Sequence, residues 1–334
     1  MFELQHYLDN NIRLINAALD RQLPAETERP AVLHKAMRYS VFAGGKRLRP
    51  ILCLAAAEAG VPAEASGLAT ASVLAEAGVP ANLPAPTVLR HSASRRRERL
   101  RQAGDTALAA ALAIEILHTY TLIHDDLPSM DDDTLRRGKP TLHVVVGEAN
   151  AILAGDALLT LAFEWLAEVR APPPYPPNQL SLELARAAGS RGVVGGQIED
   201  LAAEGRPADP DTVDYINRHK TAALLRASVR MGGIAAGAGD KDLAALTAYG
   251  DAIGLVFQIV DDILNETSTA IALGKAVGSD RERGKMTYVA VHGLAAARER
   301  ARQLTEDAVT ALQPLPGNRE PLTALARWMT ERTY

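Results

Sequence analysis

Residues 124–140 read HDDLPSMDDDTLRRGKP and crowd Asp125, Asp126, Asp131, Asp132 and Asp133 into one short, proline-broken stretch, followed at once by Arg136 and Arg137. A second acidic cluster lies in FQIVDDILNETSTAIALGK, residues 257–275. There Asp261 and Asn265 are four apart and share a helix face, while Asp262 is rotated away. Pro128 interrupts a helix after Asp125, so the chain can fold back and bring Asp125 and Asp131 together. Carboxylates gathered at the ends of two apolar helices repel one another unless a counter-charge arrives. A hard divalent cation supplies it: Mg²⁺ takes oxygen ligands, keeps several waters and is completed by substrate phosphates. No matching set of cysteines and histidines points to zinc.

Basic residues supply the other half. GGKRLRP, residues 44–50, sets Lys46, Arg47 and Arg49 behind a Gly-Gly turn. Lys220 lies in RHKT, residues 218–221, and Lys275 and Lys285 follow the second acidic cluster. Taken singly, each acidic cluster reads as a solvated helix end and each basic residue as a surface charge. Acidic and basic groups paired at both ends of apolar helices point instead to a metal–diphosphate site.

The elements that must hold these groups are helical. Of 334 residues, 47% are hydrophobic and 4% aromatic, enough for a large core in one domain. Apolar residues recur at helical spacing, as in Phe2, Leu4, Leu8, Ile12, Ile15 and Leu19. The same periodicity predicts helices over 31–43, 48–59, 106–124, 148–169, 179–203, 211–235, 241–265, 285–312 and 319–332. No segment alternates cleanly as a half-buried strand, so the predicted class is all-α. APPPYPPNQ, 171–179, reads as a stiff surface connection. Residues 78–104 combine prolines with six arginines between Arg90 and Arg101 and read as an exposed insertion with a short basic helix at 94–102. The net charge of −4 gives no sign of a nucleic-acid partner. The single Cys53 excludes an internal disulfide and fits a reducing compartment. The N-terminus carries no basic segment ahead of an apolar one, so a cytoplasmic protein without a signal peptide is expected. The most apolar long window, 106–124, contains Glu115, His118 and His124 and reads as a buried helix, without stable membrane insertion.

GGKRLRP, LIHDDLPSMDDDTLRRGKPT, GEANAILAGDALLTLAFE, GGQIEDL, RHKT and FQIVDDIL occur in the order found in trans-isoprenyl diphosphate synthases. The chain resembles this family over nearly its whole length except about 60–105, and most closely the bacterial farnesyl/geranylgeranyl type. The resemblance implies an isoprenoid-synthase helical bundle with a central active-site cavity, one domain over 1–334 with an insertion at about 60–105, and a homodimer. It implies condensation of isopentenyl diphosphate with an allylic diphosphate, dimethylallyl or geranyl, assisted by three Mg²⁺. By motif match, Asp125 and Asp131 would hold two ions and Asp261 the third. Arg136, Lys220, Lys275 and Lys285 would clamp the allylic diphosphate. Lys46, Arg49, His118 and Arg137 would hold isopentenyl diphosphate. Thr221, Gln258 and the Lys220 carbonyl are suited to steady a carbocation in a dry cavity. The departing diphosphate is the expected proton acceptor. Tyr120 and Thr121, five and four residues before Asp125, would set chain length; an aromatic there resembles a floor that stops growth at fifteen carbons, giving farnesyl diphosphate, with geranylgeranyl diphosphate second.

Two features depart from that pattern. Asn265 stands where the family usually has a third aspartate, which predicts weaker metal binding with Asp261 retained. The connection between GGKRLRP and the helix of His118 is unusually long, and its role is open. Three rivals fit less well. A terpene cyclase has no need of a second diphosphate site at GGKRLRP. A di-iron bundle needs a second Glu-x-x-His pair beside EILH, residues 115–118. A non-catalytic or weakly active synthase subunit would lack much of one or both acidic motifs, and most of both are present.

Overall fold

The computed structural model describes residues 2–61, 90–207, 209–267 and 285–331, with the backbone alone for 90–101. The predicted insertion therefore falls largely outside the described residues, as does Lys275. The described chain is helical: α1 (Leu4–Gln22), α2 (Ala31–Val41), α3 (Leu48–Gly60), α4 (Arg90–Asp125), α5 (Leu142–Val146), α6 (Glu148–Ala167), α7 (Gln179–Ala188), α8 (Val193–Ala203), α9 (Pro210–Ile216), α10 (Ala223–Ala235), α11 (Asp240–Thr267), α12 (Tyr288–His292), α13 (Leu294–Ala311) and α14 (Glu320–Thr330). A π-helical turn, Asn217–Ala222, joins α9 to α10.

The all-α expectation holds, and the described chain adds one short hairpin. β1 (Leu135–Arg136) and β2 (Lys139–Pro140) form an antiparallel hairpin, with Leu135 opposite Pro140 and Arg136 opposite Lys139. Its two turn residues, Arg137 and Gly138, have φ of 55° and 73°. Two consecutive positive φ values make the tight turn whose twist matches paired strands. Arg-Gly was its signal in the sequence, too short for any alternation to show.

Several predicted helices are longer or divided. The helix placed at 106–124 begins at Arg90, so the proposed short basic helix at 94–102 is part of one continuous backbone helix. The 179–203 segment breaks at Gly189-Ser-Arg-Gly192. The 211–235 segment carries the π turn. The 285–312 segment breaks at Gly293. Helix α9 starts as expected for its sequence: Asp209 accepts from the Thr212 amide at 2.9 Å, and Pro210 needs no partner for an N–H it lacks.

The core sits where α3 packs on α4 and α10, α10 packs on α11, and α11 packs on α13. Ile51, Leu52, Leu112, Ile114, Ile116, Leu117, Ile253 and Val256 are fully inaccessible there. Each contributes roughly 1.5–3 kcal/mol through burial. Tyr249, also inaccessible, donates its hydroxyl to the Leu322 carbonyl at 2.7 Å and fixes α14 to α11. The predicted stripe of α1 is the buried one, through Leu8, Ile15 and Leu19.

Candidate active site

The core helices end around a cavity of about 780 Å³. Its wall includes Gly44–Arg49, Glu115, His118, Thr121, Asp125, Arg136, Arg137, Gln197, Lys220, Thr221, Gln258, Asp261, Asn265 and Trp328. Residues from seven separated stretches, including both acidic motifs, thus face one space.

The acidic stretch after α4 folds back as its proline predicts. The Asp131 amide donates to the Asp125 carbonyl at 2.8 Å, and the Asp132 amide to the Leu127 carbonyl at 3.1 Å. The five aspartates then separate. Asp125 faces the cavity; burial chiefly, then repulsion from Asp131, offset in part by Lys220, pushes its carboxyl up to about 6. Asp131 pairs with Lys285 at 2.9 Å. Asp126 is buried and grips the Arg136 guanidinium at 2.6–2.8 Å, with Asp133 at 3.7 Å from the same group. Asp132 is exposed.

Lys285 also stands 4.0 Å from Asp200, which holds Lys220 at 2.5 Å. Asp131, Lys285, Asp200 and Lys220 form a run of alternating charge whose last member, Lys220, lines the cavity. Asp200 and Gln197, both in GGQIEDL on α8, received no role from the sequence. Gln197 is buried on the cavity wall, and its Nε2 has no hydrogen-bond partner among the described residues. The cue was the Gly-Gly pair before it. A Cβ at Gly196 would fall on the Lys220 amide, so glycine lets α8 approach the π turn.

That π turn carries Lys220 and Thr221, a placement typical of functional sites. Thr221 donates its hydroxyl to Gln258 Oε1 at 2.8 Å, and Gln258 Nε2 donates to Asp262 at 2.8 Å. An ionised aspartate only accepts, which fixes the amide with its oxygen toward Thr221. Asp262, rotated away from Asp261 as predicted, also accepts from the Tyr288 amide at 2.7 Å. Both aspartates border the cavity, but Asp262 is buried and tied to the scaffold by these bonds.

GGKRLRP lines the same cavity. Arg47 is buried and bound by Glu115 at 2.7 Å, by Asn16 and by the Val41 carbonyl, so it anchors the loop. Lys46 and Arg49 line the cavity on either side of it. Glu115 is spent on Arg47, which removes the one half-motif for a di-iron centre. Arg49 donates to His118 Nε2 at 2.9 Å. Since Arg49 is always a donor, Nε2 must accept, and His118 is neutral. Burial, with Arg49 and Arg137 nearby, holds its pKa well below the usual range. Arg49 Nε is buried without a hydrogen-bond partner among the described residues, as suits a wall meant for an anion. Arg137 reaches back from the hairpin to donate to the Gly44 carbonyl.

Three predicted residues lie off the wall: Asp131, Lys285 and Tyr120. Lys285 stands behind it on Asp131 and Asp200. Tyr120 packs edge-on against His124, with ring centres 5.1 Å apart, and is not among the lining residues, whereas Thr121 is. The helix explains this: at about 100° per residue, four residues back from Asp125 is nearly the same face and five is well round it.

The donor set fits Mg²⁺. All candidate ligands are oxygens, and Asp125 is a carboxylate whose charge burial disfavours in the absence of a cation. Among the described residues no three His, Cys, Asp or Glu side chains converge closely enough to hold an ion alone. Mg²⁺ held by so few carboxylates keeps waters or takes other oxygens at its remaining positions.

The family profile described as polyprenyl synthetase matches residues 30–314. The chain is 40% identical to farnesyl diphosphate synthase of Escherichia coli (strain K12), over 97% of each sequence. It is 39% identical to heterodimeric geranylgeranyl pyrophosphate synthase large subunit 1, chloroplastic, of Arabidopsis thaliana, over 99% of this chain and 80% of that one. The crystal structure of an FPP/GFPP synthase from Zymomonas mobilis superposes with a TM-score of 0.72 at 31% identity, over 98% of both chains.

Proposed function

The chain belongs to the polyprenyl synthetase family, a family of prenyltransferases acting on isoprenyl diphosphates, and on that premise we propose that it condenses isopentenyl diphosphate with dimethylallyl or geranyl diphosphate to give farnesyl diphosphate. The observation that carries this reading is one cavity lined by Arg136, Lys220, Lys46, Arg49 and Arg137 together with aspartates of both motifs.

In this reading Asp125 and Asp131 hold two Mg²⁺ and Asp261 the third, with Asn265 lowering affinity at that side. Bound there, Mg²⁺ would supply Lewis-acid stabilisation of the diphosphate leaving group. Lys220, Lys285 and Arg136 neutralise the same group from the protein side, with Lys275 as a fourth cation. Lys285 and Lys220 are presented by Asp200, and Arg136 by Asp126. Fixed in place before reaction, these charges need little reorganisation as the allylic C–O bond breaks. Thr221 and Gln258 turn oxygen lone pairs toward the cation, and the Lys220 carbonyl joins them. Arg49, oriented by neutral His118, and Lys46 and Arg137 hold isopentenyl diphosphate so that its double bond faces the allylic carbon. The released diphosphate takes the proton.

The fifteen-carbon limit rests on Tyr120, whose ring is pinned by His124 on the helix that carries the first motif. The twenty-carbon reading has its own support: Thr121, small, is the lining residue at that level, and the Arabidopsis relatives are geranylgeranyl synthases. Labelled isopentenyl diphosphate offered with each allylic primer, with and without Mg²⁺, separates the readings. A Mg²⁺-dependent fifteen-carbon main product is expected, and Tyr120→Ala should lengthen it. No elongation rejects the enzyme; a twenty-carbon product from the unaltered chain rejects the length.

A homodimer is proposed as well. The α6 window that is long and apolar enough to cross a membrane is only 39% buried, with Ile152 and Leu153 exposed, and a second copy would cover it. A monomer by light scattering would contradict this.

A further inference from the structure

Helix α14 contributes Trp328 to the cavity wall, a residue that neither the acidic nor the basic motifs include. Its ring lies under the Lys46 ammonium, 4.9 Å from ring centre to Nζ. Trp328 itself is held firmly. Its helix buries Pro321, Leu322, Leu325, Ala326 and Met329, and Tyr249 bonds the Leu322 carbonyl. Lys46 sits in a different setting. It is exposed, on a loop whose backbone runs through positive φ at Gly44, Gly45 and Arg47, and its four-carbon stem has many rotamers to lose. A cation over an aromatic face is attracted by the ring quadrupole, most strongly over tryptophan.

We infer that Trp328 is a positioning residue for isopentenyl diphosphate: its ring holds the Lys46 ammonium at the cavity wall, ready for the second diphosphate. This rests on the reading of the Lys46–Arg49–Arg137 group as that site. An ammonium held in place before binding costs less ordering when the anion arrives, so the gain appears in affinity for one substrate. Arg136 and Lys220 have no part in it.

Calorimetric titration of the full chain with isopentenyl diphosphate, and separately with geranyl diphosphate and Mg²⁺, tests the inference. Trp328→Leu keeps apolar bulk and removes the π face; Trp328→Phe keeps a π face. We expect Trp328→Leu to weaken isopentenyl diphosphate binding about two- to fivefold, with geranyl diphosphate unchanged, and Trp328→Phe to restore most of the loss. In a Lys46→Ala background, Trp328→Leu should have no further effect. Equal weakening toward both ligands, tighter isopentenyl diphosphate binding, or a loss that persists without Lys46 would each overturn it. Because affinities are read without turnover, an unaltered chain that binds but does not elongate rejects the enzyme reading while the role of Trp328 is still decided.

Discussion

At the scale of residues, identical side chains in one stretch do different work. Asp126 and Arg136 form a buried two-pronged pair, while Asp132 is exposed. Removing one partner of a buried ion pair strands the other charge, at a cost of about 3–5 kcal/mol. Asp126→Ala should therefore lower stability to urea by that order, and Asp132→Ala by less than about 0.5 kcal/mol. Equal losses would show that the pair is not holding the hairpin. That Asp261 and Asp262 take different helix faces was legible in the sequence, because helix periodicity assigns faces; the choice of Asp125 came from the family resemblance. Which lysine each aspartate meets was not legible: Lys285 is 154 residues from Asp131, and no local pattern reports a contact at that distance.

At the scale of elements, the site depends on how closely helices approach. Alanine at Gly196 would drive its Cβ onto the backbone of His219 and Lys220 and push α8 off the π turn. Displacing a catalytic group by about 1 Å can cost 10²-fold. Gly196→Ala should lower kcat with geranyl diphosphate by about that factor; full activity would mean that the π turn tolerates displacement. The sequence marked RHKT as helical but could not show the π turn, which is a slip of one residue within a continuous helix. Between α1 and α3, Tyr7 donates to buried Glu58 at 3.0 Å, and burial pushes the Glu58 carboxyl up to about 7. A carboxyl raised in the folded state favours folding below its unfolded pKa, and that advantage is lost as pH rises through about 7. Glu58→Gln, which keeps an acceptor for Tyr7, should raise the unfolding temperature at pH 8 and change it little at pH 5. A uniform effect at both values would contradict a charged Glu58.

At the scale of the molecule, long apolar helices do two jobs. They bury a core through α3, α4, α10 and α11, and their ends carry charge to one cavity. The class of the fold was readable because helical periodicity persists through most of the chain. The breaks at Gly189–Gly192 and Gly293 were not, because apolar spacing continues across them. What the fold imposes is a standing conflict: aspartates and lysines are held close, and in the described chain Lys285 occupies Asp131 and Asp200 occupies Lys220. Under the proposed function, metal and diphosphate would take both sets of partners at once. The most direct test is hydrogen exchange across residues 122–141 and 193–201, with and without Mg²⁺ plus inorganic pyrophosphate. The account predicts marked slowing in both segments only when metal and pyrophosphate are present together; exchange unchanged by the pair would contradict it.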